Sequence, residues 1–461
     1  MKTKKYKTIL LLLVMGISRV FGLTYDELLQ NYCNQDIQFE ELAISYRQAQ
    51  LSYEQTLINN GMKITASSGS MKVGSSESQL SLSVSPAVNI TIPSLSNTEI
   101  KVSVPVSVEK ENISFQNAGI SLSTEIISSS KADRELTLEK AKRSLLEAEA
   151  KLKARVVTLE KSFLNELKSL YTLGMSLYES EENYLSKQIS FESMKLQGYS
   201  ETSSKYKSSL LSVKSAEYDL EKAKRNYSSS LEKFLSACNA TDLDIYNLEI
   251  PTVELLDIQN FSKEKFSDIE NAVWSNYVNS TSRNNKTDFT LSGNASANIS
   301  SATNNLSSTL GAGLSAVYKG WSGNLNLNIP INTKNSPSVT LSVSWNPSKD
   351  KLAVIEEESN VLAESKEALS IKKAYQQYDE TVEKYKTEKE NLLWQYESNL
   401  EELSMYKEMA ADTEYWYNNG IVSESEYRKA NINYAKAILS VTSSKIEQII
   451  YNLDLQSLFV E

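Results

Sequence analysis

The sequence predicts an α+β membrane protein built from two internal repeats, in which long antiparallel coiled-coil helices alternate with regions of β-strand. Three observations carry that fold class. Leucines recur every seven residues along proline-free runs longer than any single globular core is tall; the strand regions alternate apolar with small polar residues; and the order helix, strands, very long helix, turn, return helix occurs twice.

The chain opens MKTKKYKTILLLLVMGISRVFG, four lysines ahead of the apolar run Ile9 to Ile17 and then Val20 and Gly22. That is the layout of a secretory signal peptide over residues 1–22, with cleavage expected after Gly22 and no cysteine there to take a lipid. Thr24 followed by Glu27 is a capping-box pattern, and apolar residues keep helical spacing from Leu28 to Leu57, giving a first-repeat upper helix within 23–60. Over 61–130 the period changes to two. Ile100, Val102, Val104, Val106 and Val108 share one face of an expected strand, although Pro105 is awkward inside a central strand. Residues 131–237 form a long helical hairpin: Leu138, Leu145, Leu152 and Leu159 mark the seam of a helix about 100 Å long, broken by Gly198 and followed by a return helix with Leu210, Val213, Leu220 and Leu231.

Residues 238–280 then serve as an equatorial linker and second-repeat upper helix, 281–348 as a second strand region, and 349–461 as a second long hairpin broken by Gly420 and the C-terminal end. Val361, Ala368, Tyr375 and Val382 are the expected seam of its long helix. Each strand region reads as four alternating segments: 62–73, 78–92, 99–109 and 118–127, then 287–301, 308–318, 321–331 and 338–345. An even number returns the chain to the side it left, so all the helices stand on one side.

Strands with an apolar outer face and a small polar inner face suit a membrane barrel with a watery lumen, and Trp321 and Trp345 suit its interfaces. A soluble β-rich domain shows the same alternation. One chain offers few strands for a wide pore, so its sheet edges must pair with further copies.

Chemistry is not expected. There is no histidine, and the two cysteines, Cys33 and Cys238, either form one disulfide or stay as two free thiols. Neither a nucleophile-elbow nor a P-loop pattern is present, so no catalytic residue, cofactor or metal is expected, and the chain is read as no enzyme. Without residues 1–22 the balance is 43 basic against 58 acidic residues, −15, which argues against a nucleic-acid partner.

LTYDELLQNYCNQDIQFEELAISYRQAQLSYEQ and YNNGIVSESEYRKANINYAKAILSVTSSKIEQIIYNLDLQSLF resemble the mature start and second return helix of the outer-membrane factor (TolC-like) family of efflux and type I secretion channels. The resemblance implies a homotrimer with one shared outer-membrane β-barrel and one periplasmic α-barrel. It implies a passive trans-periplasmic exit duct in the cell outer membrane, energised by an inner-membrane transporter through a periplasmic adaptor. The turns with Gly198, Ser200, Gly420, Ser423 and Tyr427 would be the tip that docks the adaptor. By the resemblance Cys33 and Cys238 would both lie near a belt midway along the helices, which favours the disulfide alternative without deciding it. Glu426 stands where the family carries the first of two pore-narrowing carboxylates, but Lys429 replaces the second, so Glu426 either constricts a pore or pairs with Lys429 along the helix. The alternative function is a non-channel coiled-coil structural or adhesin stalk protein of the cell envelope.

Overall fold

The computed structural model describes residues 24–69, 71–76, 79–109, 112–115, 118–302, 305–331 and 335–460; the expected signal peptide lies outside the described residues. In chain order the elements are α1 (Tyr25–Cys33), α2 (Ile37–Asn59), β1 (Lys63–Ser67), β2 (Met71–Ser76), β3 (Gln79–Val84), β4 (Ala87–Ile92), β5 (Thr98–Ser103), β6 (Val106–Glu109), β7 (Asn112–Phe115), β8 (Ala118–Ile127), α3 (Ser130–Leu196), α4 (Ser204–Ala237), α5 (Ser267–Asn285), β9 (Phe289–Ala302), β10 (Asn305–Tyr318), β11 (Trp321–Ile331), β12 (Ser338–Trp345), α6 (Pro347–Asn418) and α7 (Glu424–Ser457). The chain divides into two compact units. One takes the chain up to Glu40, then Lys153–Phe261 and Thr381–Phe459; the other takes Glu41–Leu152, Ser262–Glu380 and the last two residues.

The second unit carries the strands. An eight-stranded sheet runs β1-β4-β5-β8-β9-β10-β11-β12, every neighbouring pair antiparallel, beside a four-stranded sheet β2-β3-β6-β7. Register keeps the two faces apart. Ala312 lies opposite Ala295 and Leu327, and Leu314 opposite Gly293 and Leu325, while Gly313 between them lies opposite Asn294 and Asn326.

The first strand region holds eight strands instead of the expected four. Val84 pairs with Val106 in the small sheet and Ala87 with Ser103 in the large one; between those pairs stand Pro86 and Pro105. Proline brings no N–H to a ladder, and two prolines at one level leave the Val104 N–H to Pro86 O bond, 3.0 Å, to span the gap. The segment 99–109, read as one strand, is therefore β5 and β6.

The eight-stranded sheet is open. β1 and β12 are its two ends, each paired along one edge only within the chain, so no closed β-barrel is present and the expected barrel, shared among copies, is corrected to an open sheet. Trp321 and Trp345, expected at a membrane interface, are cross-strand partners whose rings stack at 5.7 Å, and the Trp345 indole N–H donates to Asp350, 2.8 Å away. No described helix is long and apolar enough to cross a membrane.

Helix packing in this unit is braced by ion pairs. Arg143 of α3 forms a bidentate pair with Glu270 of α5, and its guanidinium also lies over the Trp274 ring. Arg283 grips Glu367 of α6 through two hydrogen bonds of 2.7 Å. The expected seam of α6 is out of phase. Val361 and Tyr375 are exposed, whereas Ala374 and Tyr378 are buried, because α6 carries seven-residue apolar rows on two faces and the chain packs the other one.

The helical unit has a filled core rather than the hollow α-barrel expected. Phe163, Leu164, Leu167, Leu170 and Tyr171 of α3 are fully or almost fully buried against Phe234 of α4 and its capping residue Cys238, Ile245 and Ile250 of the linker, and Leu439 and Ile446 of α7. Spacings of three and four put these α3 residues on one stripe, the pattern of an amphipathic helix facing a core. α1 caps the cluster with Tyr25 and Leu28, and its start is fixed as the capping box foretold: the Glu27 N–H donates to the Thr24 hydroxyl and the Thr24 N–H to the Glu27 carboxylate. The linker is tied down through polar bonds. Tyr171 OH donates to the Ile245 carbonyl at 3.0 Å, and Asn452 accepts from the Leu256 N–H while donating to the Glu254 carbonyl, both 2.9 Å.

Candidate interaction site at the two interhelical turns

Both hairpins of the helical unit reverse on a left-handed glycine. Gly198 has φ +76° and Gly420 φ +71°, a conformation in which a side chain is strained, although a Cβ at either would meet nothing within 4 Å. The α6 end is a complete Schellman motif: the Ile421 N–H donates to Trp416 O and the Gly420 N–H to Tyr417 O, both 2.9 Å. At the α3 end the corresponding Gly198 N–H bond goes to Lys195 O, 3.0 Å.

Each return helix starts on a serine cap. Ser203 accepts from the Tyr206 N–H, and Ser423 accepts from the Glu426 N–H. Across each hairpin an aromatic pair follows, Phe191 edge-on to Tyr206 at 5.1 Å and Tyr417 stacked on Tyr427 at 4.9 Å. Gly198 precedes its cap by more residues than Gly420 does, and Tyr206 follows its cap by one fewer than Tyr427; this explains the unequal turn lengths in the sequence. Ser200 bonds within its own turn, its hydroxyl 2.8 Å from that of Thr202. The structure thus brings Gly198 and Ser200 into one turn and Gly420, Ser423 and Tyr427 into the other.

Glu426 belongs to the helix cap. Its carboxylate accepts from the Ser423 N–H and hydroxyl, both at 2.9 Å, and these bonds hold its pKa below the usual carboxylate range. Lys429 does not pair with Glu426 along α7. It reaches Glu182 of α3 at 3.2 Å, where Lys436 also arrives, while Arg428 meets Glu181 at 3.0 Å. This ladder across the hairpin was missed in the sequence. Its signal was the seven-residue step from Lys429 to Lys436 facing the acidic run Glu181–Glu182.

Cys33 and Cys238 are both free thiols in this structure, one of the two states the sequence left open. Cys33 ends α1, half-buried, and Cys238 caps α4, fully buried. Among the described residues no group of three or more Cys, Asp or Glu side chains is placed to hold a metal ion.

Two family models cover the chain almost end to end, the TP096X N-terminal domain over residues 28–250 and the TP096X C-terminal domain over residues 251–461. The chain belongs to the TP096X family. The join between the two TP096X domains falls in the linker, at Ile250–Pro251. An uncharacterized protein of Treponema pallidum (strain Nichols) is 22% identical over 391 residues, 82% of this chain and 70% of its own length. Among solved structures, the open state of the Neisseria gonorrhoeae MtrE outer membrane channel matches at 13% identity and TM-score 0.49, over 96% of this chain and 93% of that one. The Campylobacter jejuni CmeC outer membrane channel matches at 14% identity and TM-score 0.46, over 94% and 85%. Likeness at this level carries no activity across.

The expected assignment to the outer-membrane factor family is therefore corrected to TP096X. The expected channel, transmembrane barrel and outer-membrane placement are corrected with it, because the TP096X sheet is open and its helical unit is packed solid around Phe163 and Tyr171.

Proposed function

We propose that this TP096X chain is a non-channel, coiled-coil structural protein of the cell envelope, a stalk that works as an assembly of copies and carries no chemistry of its own. The observation that supports this reading is the pair of helical hairpins. Helices of 67 and 72 residues each turn back on a capped glycine reversal into a 34-residue return helix, and the side chains at their interface go into packing and ion pairs. Over the length of the return helix such a hairpin resists bending, because the heptads of one helix are braced by the other. The export signal expected in residues 1–22 would deliver the chain to the envelope.

Sedimentation of the purified chain, with planar-bilayer recordings on the same sample, tests the reading. An elongated assembly that gives no conductance is the expected result. Reproducible conductance steps, or a compact monomer at every concentration, would sink it.

A further inference from the structure

We propose that the polar face of the eight-stranded sheet binds an uncharged polysaccharide strand, laid across β9, β10, β11 and β12. The proposal rests on the envelope stalk named above and deepens it by naming what the stalk holds.

β9 to β12 contain no acidic or basic residue, in a chain where 23% of the residues are charged. Their period of two therefore produces one apolar face and one that is polar and neutral. Register lines up the neutral face in rows that cross all four strands. The middle row is Asn294, Gly313, Asn326 and Thr340; Asn324 and Asn328 stand two residues to either side of Asn326 along β11, in rows otherwise made of serine and glycine. Four strands set about 4.8 Å apart make each row about 14 Å long, and neighbouring rows lie about 7 Å apart.

Gly313 keeps the middle of this face low. It is buried, and a Cβ there would collide with the amide oxygens of Asn294 and Asn326, which close over it from the two neighbouring strands. Asn294, Asn324, Asn326 and Asn328 are all exposed, and their side-chain amides make no hydrogen bond to any described residue.

The ligand class follows from that chemistry. A carboxamide donates and accepts in one plane, which is what neighbouring hydroxyls of a sugar ring require, and rows of such groups suit a chain that repeats them. Phosphate and carboxylate polymers are gripped by basic side chains, and these strands have none. An apolar ligand finds no apolar side chain in the three rows. Each polar contact replaces a bond to water and contributes little alone, so the face needs a strand long enough to engage several amides together.

Affinity electrophoresis of the full chain tests this, in gels cast with dextran, mannan or laminarin, all neutral, or with anionic alginate. The expected result is retardation by at least one neutral polysaccharide and none by alginate. Asn294→Ala combined with Asn326→Ala should weaken the apparent affinity about tenfold, the share of two hydrogen bonds, while Leu325→Ser on the opposite face leaves it unchanged. Migration unaffected by all three neutral polysaccharides would overturn the proposal, as would equal retardation by alginate or retardation that the paired alanines leave intact. Should the paired variant not fold, as judged by circular dichroism, Asn324→Ala and Asn328→Ala replace it, and full retardation in both would overturn the proposal in the same way. Sedimentation and bilayer recordings on the same preparation keep the two ideas apart. An elongated, non-conducting assembly that no polysaccharide retards sinks the ligand and leaves the stalk, whereas conductance steps sink the stalk.

Discussion

The Lys429 ammonium lies 3.2 Å from one carboxylate oxygen of Glu182, across the hairpin, and Lys436 lies 3.2 Å from the other. Burial pushes the Glu182 carboxyl up, but hydrogen bonds from the two lysines more than offset it, and the folded value sits below the ordinary one. A carboxylate whose folded pKa is lowered contributes stability that is present above its unfolded pKa and lost as the pH falls through the folded value. Glu182→Gln is therefore expected to cost about 0.5–1 kcal/mol at pH 7. The gap from the unsubstituted chain should close towards pH 3 in urea titrations. A cost of equal size at both pH values would show that the lysines are not its source.

Ser423→Ala removes the acceptor of the Glu426 N–H and one donor to the Glu426 carboxylate. Loss of a helix cap of this kind costs about 1 kcal/mol. Thermal unfolding followed by circular dichroism should show a lowered midpoint, and a Ser423→Thr variant should recover most of it. Should alanine and threonine behave alike, the hydroxyl is not what fixes the start of α7.

Tyr171→Phe tests how the linker is held on the helical unit. The Tyr171 hydroxyl is buried and donates to the Ile245 carbonyl, which the variant leaves without that donor. The expected loss is about 1–3 kcal/mol. Hydrogen exchange should quicken at 243–250 before it quickens in α3. Uniform quickening throughout the unit would mean that linker and helices open together.

Helices were legible in this sequence because their signals are local. Thr24 with Glu27 marked a cap that exists, and Gly198 and Gly420 marked turns that exist, each through residues within a few positions of one another. Phase was not legible. α6 carries two seven-residue rows, and nothing in the spacing of Val361 and Tyr375 told which row the chain would bury, since that depends on Phe266 packing against Tyr378 from far away in sequence. Strand number failed for a similar reason: Pro105 was visible as an irregularity, but only its position beside Pro86 on the neighbouring strand turns one strand into two. At the turns, Ser423 and Glu426 form the capping pattern Ser-x-x-Glu, a local signal that lay in four residues beside the two alternatives stated for Glu426.

Cysteine labelling tests the helical core most directly. Burial, with Glu166 nearby, pushes the Cys238 thiol up to about 12, and burial with Glu160 and Asp36 raises Cys33 as well. The thiolate is the reactive form, so at pH 8 Cys238 should offer on the order of a thousandfold less of it than an unperturbed cysteine, besides being closed to reagent. With iodoacetamide on the native chain, intact mass should show slow addition of one label, at Cys33, and a second only after denaturation. Two labels gained natively at similar rates would mean that the cluster of Phe163, Phe234 and Cys238 opens on the timescale of the reaction. No label after denaturation, with two after reduction, would show that the thiols had joined as a disulfide and that the end of α1 can be fastened covalently to the end of α4.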